Sequence, residues 1–173
     1  ERTIRVDIDS TGERVTTYTH DVKGSVLLVT SATAPHAFKK VDNQGRVIAT
    51  GMFSSTANIV VGTDDPTTET SNRWALSQTF FNERGQVWKS QRHQIDPADG
   101  SDDNDVAIRH WYDIDGREIK TDGKQLTKSF YDRLGRMTHQ FTLANDNDTV
   151  YADADDLSGD VVLEEHQTTY ASA

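Results

Sequence analysis

Two adjacent copies of one pattern decide the fold: Tyr112-Asp113-Ile114-Asp115-Gly116-Arg117 and Tyr131-Asp132-Arg133-Leu134-Gly135-Arg136. In each copy an aromatic residue precedes Asp, two variable residues follow, and Gly-Arg closes the run. The Asp side chain accepts a hydrogen bond from the backbone two residues on. Gly at the fourth position supplies a positive φ without steric cost. The combination predicts a type I turn followed by a left-handed Gly, the three-residue hairpin loop with a G1 bulge.

The same core, Asp or Asn followed three residues later by Gly, recurs along the chain. It stands at Asp9–Gly12, Asp21–Gly24, Asp42–Gly45, Asn82–Gly85, Asp113–Gly116, Asp132–Gly135 and Asp156–Gly159. Chance alone gives about two copies from this composition, so the spacing is in use. Val41-Asp42-Asn43-Gln44-Gly45-Arg46 keeps all but the aromatic, and Phe81-Asn82-Glu83-Arg84-Gly85-Gln86 is a conservative variant. The copies beginning at Asp9, Asp21 and Asp156 are degenerate. In five of the seven copies the residue before the turn is Ile8, Val41, Phe81, Tyr112 or Tyr131, and in five of seven the residue two past the Gly is Val26, Val47, Val87, Met137 or Val161. Beyond Gly135 the alternation runs Met137, His139, Phe141, Leu143, a strand with one buried face. No window has a helical period. The expectation is an all-β chain, a long antiparallel ribbon of hairpins over residues 1–173, with return turns at Asp96–Gly100 and Asp122–Gly123. Gly62–Asn72 and Ser101–Asp105 are expected to be loops inserted into it.

Composition agrees with this and narrows the function. The 173 residues carry 18 Lys+Arg against 28 Asp+Glu, a formal net charge of -10. An acidic chain lacks the basic face that nucleic acid needs, and an anionic membrane would repel it. No apolar run reaches the length of a membrane span, and no signal peptide opens the chain. With no cysteine there is no disulfide framework and no thiolate metal site. Arg2–Val6 and Gln167–Tyr170 alternate as strand right up to the ends, which reads as a piece of a longer repeat array.

The tyrosine-aspartate, two variable residues, glycine-arginine signature resembles the YD repeat of RHS proteins, toxin-complex shell subunits and teneurins. That resemblance implies a β-ribbon spiralling into a hollow shell or surface scaffold, outside the cell or on its surface. The shell would enclose or present another segment. The partners it implies are the remaining repeats of the same polypeptide, an enclosed C-terminal segment or a surface partner. It gives the motif residues structural roles: Tyr112 and Tyr131 pack along the sheet, and Asp42, Asp113 and Asp132 hold turns. Gly45, Gly116 and Gly135 permit the turns. Arg117 and Arg136 are expected to pair with acids on neighbouring strands, and Arg46 holds the same place in its own copy. The self-cleavage region of that family has no match, since Asp65-Pro66 and Asp96-Pro97 lack Gly at the required place.

No motif calls for a cofactor or a catalytic residue. Ser54 and Ser55 lack a nucleophile elbow, and the six histidines have no metal-ligand spacing among themselves. Asp99, Asp102, Asp103 and Asp105 make an oxygen-rich run of the kind calcium uses, but the full twelve-residue loop pattern with its terminal Glu is absent, and solvated acidic turns are the simpler account. Asn145–Asp148 and Asp153–Asp156 form a second acidic stretch. Trp74, Trp88 and Trp111 pack across strands or offer a sugar- or partner-binding face. The alternative function is therefore a carbohydrate- or partner-binding β module, with calcium as an aid.

Overall fold

A computed structural model describes residues 2–9 and 12–171. Twelve antiparallel strands follow one another in chain order. They are β1 Arg2–Asp9, β2 Gly12–His20, β3 Val26–Thr30, β4 His36–Val41, β5 Val47–Phe53 and β6 Arg73–Phe81. The series continues with β7 Val87–Ile95, β8 Asp102–Tyr112, β9 Glu118–Asp122, β10 Leu126–Tyr131, β11 Met137–Asn145 and β12 Val161–Gln167. The one helical element among the described residues is a 3-10 helix, Tyr151–Asp155, too short to leave a period in the sequence. Among these residues no helix is long and apolar enough to cross a membrane.

The turns set the register. His20 pairs with Val26, Val41 with Val47, Tyr112 with Glu118 and Tyr131 with Met137, each beside a one-residue register shift. The residue before the motif thus faces the residue two past its Gly, as a G1 bulge requires. Asp9 pairs with Gly12, while Ser10 and Thr11 of that copy lie outside the described residues. The copy at Asp156–Gly159 departs from the pattern. It follows the 3-10 helix, and its hydrogen bond runs from Asp160 N–H to Leu157 O. Here Asp-x-x-Gly ends a loop excursion instead of closing a hairpin.

The chain divides into two compact units, one up to Phe80 with Ser90–Val106, the other Phe81–Lys89 with Ala107 onward. In the first, the segment between Phe53 and Arg73 folds over its sheet. Leu28, Phe38 and Phe53 are buried there, with Ile59 and Val61 packed against them. Phe38 and Phe53 meet with tilted rings 6.3 Å apart. Burying such a side chain is worth about 1.5–3 kcal/mol.

In the second unit the covering segment is 146–160, and its cement is charge. Lys128 is 0% exposed. Its Nζ donates to Asp148 Oδ1 at 2.9 Å and to the carbonyls of Asp153 (3.2 Å) and Asp156 (2.6 Å). Asp160 Oδ2 stands 2.8 Å away in ion contact, without hydrogen-bond geometry. Lys120 Nζ donates to Asp148 Oδ2 at 2.7 Å, pairs with Asp146, and lies 4.5 Å from the Trp111 ring centroid. The second acidic stretch of the sequence thus receives two lysine ammonium groups.

One loop expectation is corrected. Gly62–Asn72 carries no strand, but Asp102–Asp105 begins β8 and is not an inserted loop. Acidic residues suit a strand poorly, yet Asp102 and Asp105 find Arg73, Gln91 and His93 as partners. On β11, burial rises along the expected face, from exposed Met137 to buried Leu143.

Candidate functional site

The repeated turn is the best-defined constellation. At Asp132, Oδ1 accepts the backbone N–H of Leu134 and of Arg136, both at 2.9 Å. Oδ2 takes Nε and Nη2 of Arg136 at 2.8 and 2.7 Å. Asp42 repeats this with the N–H groups of Gln44 (2.9 Å) and Arg46 (3.0 Å), and with Arg46 Nε and Nη2 at 2.7 and 2.6 Å. Asp113 Oδ1 accepts Arg117 N–H at 2.9 Å, and its Oδ2 takes Arg117 Nε and Nη2, each at 2.6 Å. All three arginines fold back on their own turns, four residues from the Asp, and Arg117 and Arg136 thereby meet a local acid where one on a neighbouring strand was expected. The bulge brings the two ends of the turn together, so the nearest carboxylate is the local one.

The backbone of this motif is shared by five copies. Gly24, Gly45, Gly85, Gly116 and Gly135 each donate N–H to the first residue's carbonyl at 2.9–3.2 Å. All five glycines have positive φ, between 78° and 89°. The first residue's N–H returns to the fifth residue's carbonyl at 2.9 Å in each. At Asn82 the charges are gone but the geometry stays. Asn82 Oδ1 accepts Arg84 and Gln86 N–H at 3.0 Å, and Asn82 Nδ2 donates to Gln86 Oε1 at 3.0 Å. An amide pair there does the work of the Asp–Arg pair.

Electrostatics follow from the geometry. Burial alone would raise the Asp42 and Asp113 carboxyls, but hydrogen bonds from Arg46 and Arg117 outweigh it and hold both below the ordinary range. At Asp132 the Arg136 N–H is the largest influence, and it lowers the carboxyl despite partial burial.

Three of the turns are also linked to the tyrosine that follows. Tyr131 Oη donates to Glu118 O at 2.7 Å, Tyr112 Oη to Val87 O at 2.7 Å, and Tyr170 Oη to Met137 O at 2.9 Å. In all three the acceptor is the second residue past a turn Gly. Arg117 Cζ lies 5.1 Å from the Tyr131 ring centroid and Arg136 Cζ 4.4 Å from that of Tyr170, cation–π distances. Tyr170 is thus a motif tyrosine that sequence reading missed, because Ala171 replaces the Asp that would have marked it. Turns touch directly as well. The third residue of one turn reaches the second carbonyl of the next: Lys23 Nζ to Asn43 O, and Arg84 Nη1 to Ile114 O.

A second feature lies in the same unit as these tyrosines. A groove of about 530 Å³ is lined by Arg84, Trp88, Arg109, His110, Trp111 and Tyr151, among others. Trp88 is 42% exposed. Tyr151 Oη accepts Tyr112 N–H at 2.7 Å and donates to Tyr112 O at 2.8 Å, closing one wall. Trp74, on β6, is exposed and does not line the groove.

The candidate calcium residues disperse. Asp99 Oδ1 is taken by Ser101 N–H (2.9 Å) and Oγ (2.6 Å), which lower its pKa. Asp103 is exposed on β8. Asp102 and Asp105 instead converge on His93 of β7, whose Nδ1 is 3.1 Å from Asp102 Oδ2 and 2.7 Å from Asp105 Oδ1. Residues three apart point to opposite faces of a regular strand, so strand alternation alone would not predict that these two carboxylates meet. Nothing in the sequence marks this meeting with a histidine nine residues upstream. Beside it, fully buried Arg73 donates to Asp102 Oδ1 (3.3 Å) and to the carbonyls of Gly100, Pro66 and Thr67 (3.0, 3.2 and 3.3 Å).

No protein-family model and no curated protein sequence matches the chain. Solved structures do. A crystal structure of TcdB2-TccC3-TEV is 12% identical over 74% of this chain, with a TM-score of 0.38. One of TcdB2-TccC3 without its hypervariable C-terminal region is 11% identical over 74%, with a TM-score of 0.39. The chain spans 8% of the length of each.

Proposed function

We propose that this chain is a non-catalytic structural repeat module, a section of an RHS-like shell or surface scaffold that encloses or presents another segment. One observation carries the reading. Five turns share a single hydrogen-bond plan, and successive turns within each unit are tied by side chains. Such order serves a repeating wall, in which each unit supports its neighbour. The motif residues Tyr112, Asp113, Gly116, Arg117, Tyr131, Asp132, Gly135 and Arg136, with Asp42, Gly45 and Arg46, are the joints of that wall. Further repeats of the same polypeptide are its partners. The exposed apolar residues Val161, Val162 and Leu163 of β12 give such repeats something to pack on. The setting is extracellular or at the cell surface, and no chemical step is assigned to the chain. Cryo-electron microscopy of the longest natural polypeptide carrying this segment tests the proposal. The expected image is a β-walled body with an interior volume. A solid globule or an extended string of separate domains refutes it.

The groove favours a second reading, a binding face for carbohydrate. Trp88 and Trp111 supply apolar ring surface, and Arg84, Arg109 and His110 supply hydrogen-bonding groups. Titration with neutral oligosaccharides, followed by tryptophan emission, tests it. Saturable quenching lost in Trp88→Ala supports it, and an unchanged spectrum at millimolar sugar rejects it.

A further inference from the structure

We propose that His93, Asp102 and Asp105 form a zinc site that ties β7 to β8. The ring of His93 is 6% exposed, and both of its nitrogens are committed. Nε2 lies 2.8 Å from Gln78 Oε1, an oxygen that only accepts, so Nε2 carries its hydrogen. Nδ1 therefore faces the two carboxylate oxygens, 3.1 and 2.7 Å away. A bare lone pair cannot face two carboxylates without a cation between them. That cation is either a proton on Nδ1 or a metal ion. All three ligand atoms lie within 4.8 Å of one another.

The surroundings favour the metal. A ligating histidine commonly donates its other N–H to an acceptor, and ligating carboxylates are themselves held by hydrogen bonds. Both conditions are met for every ligand. Gln78 holds the far side of the ring, Arg73 holds Asp102 Oδ1 at 3.3 Å, and the Gln91 amide holds Asp105 Oδ2. The remaining oxygens, Asp102 Oδ2 and Asp105 Oδ1, are the ones aimed at Nδ1. One imidazole nitrogen and two carboxylate oxygens suit Zn²⁺, which accepts mixed N/O ligands in a four-coordinate shell. Ca²⁺ prefers an all-oxygen shell of six or more ligands. Both aspartates are more than 40% exposed at the side chain, so solvent reaches a fourth position. The role would be structural, a clasp across the hairpin.

The test is titration of the chelator-treated 173-residue chain with Zn²⁺ alone against a chromophoric competitor, with Ca²⁺ as a parallel arm. Expected are one equivalent of Zn²⁺ at micromolar or tighter affinity and no comparable Ca²⁺ binding. The signals of the His93 ring should shift in the NMR spectrum of the unmutated chain, and those of the other histidines should not. Asp105→Asn keeps the side-chain volume and should weaken binding at least tenfold. If that variant misfolds, the His93 shifts decide alone. The proposal falls if Zn²⁺ does not bind stoichiometrically at 100 µM, if Asp105→Asn binds as well as the parent chain, or if the His93 signals stay in place.

Discussion

Replacing Lys128 by Ala tests the charge-cemented half of the molecule most severely. The ammonium is fully buried and serves two carboxylates and two carbonyls at once. Its removal leaves Asp160 and Asp148, whose side chains are 0% and 6% exposed, short of a counter-charge. Breaking a buried pair by removing one partner costs about 3–5 kcal/mol. In a chain of this size each kcal/mol moves the melting temperature by about 2–4 °C, so the expected loss is roughly 6–20 °C. Urea unfolding and a circular-dichroism melt at pH 7 measure it. Adding Asp148→Asn and Asp160→Asn to Lys128→Met should recover part of the loss, because no unpaired charge remains. A loss under about 1 kcal/mol, the range of an exposed pair, refutes the idea that segment 146–160 is held by these lysines.

The pH profile checks the same cluster independently. Burial disfavours the Lys128 ammonium, but Asp148 and Asp160 outweigh it and raise its pKa. Burial likewise opposes the Asp148 carboxylate, while Lys120 and Lys128 lower its pKa. The lysine's contribution is thus complete below its unfolded value of about 10.4 and is lost as pH rises through the folded value. The aspartate's contribution is complete above about 3.9 and is lost as pH falls through the folded value. The gap between the parent chain and Lys128→Ala should be flat between these limits and narrow beyond either one.

Other substitutions probe the turns. Gly135→Val places a β-branched residue at φ 78°, where a Cβ meets nothing closer than 3.7 Å, so its cost is conformational. At least the 1–2 kcal/mol typical of left-handed backbone is expected by chemical denaturation. Gly100→Ala should be worse, since its Cβ would sit 1.9 Å from Thr70 O, and the shift would also disturb the Gly100 carbonyl that holds Arg73. Its melt should fall well below that of Gly135→Val. Asp113→Ala should lower the melting temperature, whereas the double variant Asp113→Asn, Arg117→Gln, which copies the Asn82–Gln86 pair, should melt close to the parent chain. Tyr131→Phe removes the bond to Glu118 O and should cost about 0.5–1.5 kcal/mol in urea unfolding.

Much of the fold was legible because the information is local. An Asp that caps its own turn and a Gly with positive φ act within five residues, so spacing alone reveals them. The facing of Val41 with Val47 and Tyr131 with Met137 followed from the same rule. What escaped was long-range or looked redundant. Arg117 has acids in many directions, and only the bulge geometry selects Asp113 and Asp115 of its own turn. Asp102 and Asp105 read as loop residues, since nothing nearby in sequence announces His93, Gln91 or Arg73 as partners. Lys128 stands on an alternating strand like any surface lysine. Its burial depends on a segment that returns 20 residues later.

The links between successive turns have a mechanical meaning. Within a unit, successive turns are fastened by a few side chains, as Lys23 reaches Asn43 and Arg117 reaches Tyr131. Strain at one hairpin is thus handed only to its neighbour, like tension along a row of stitches. Pulled from one side, such a sheet would come apart stitch by stitch. Gly116 to Gly135 spans 19 residues, so each stitch would release roughly 65 Å of chain. A wall built this way yields locally and keeps the remainder standing.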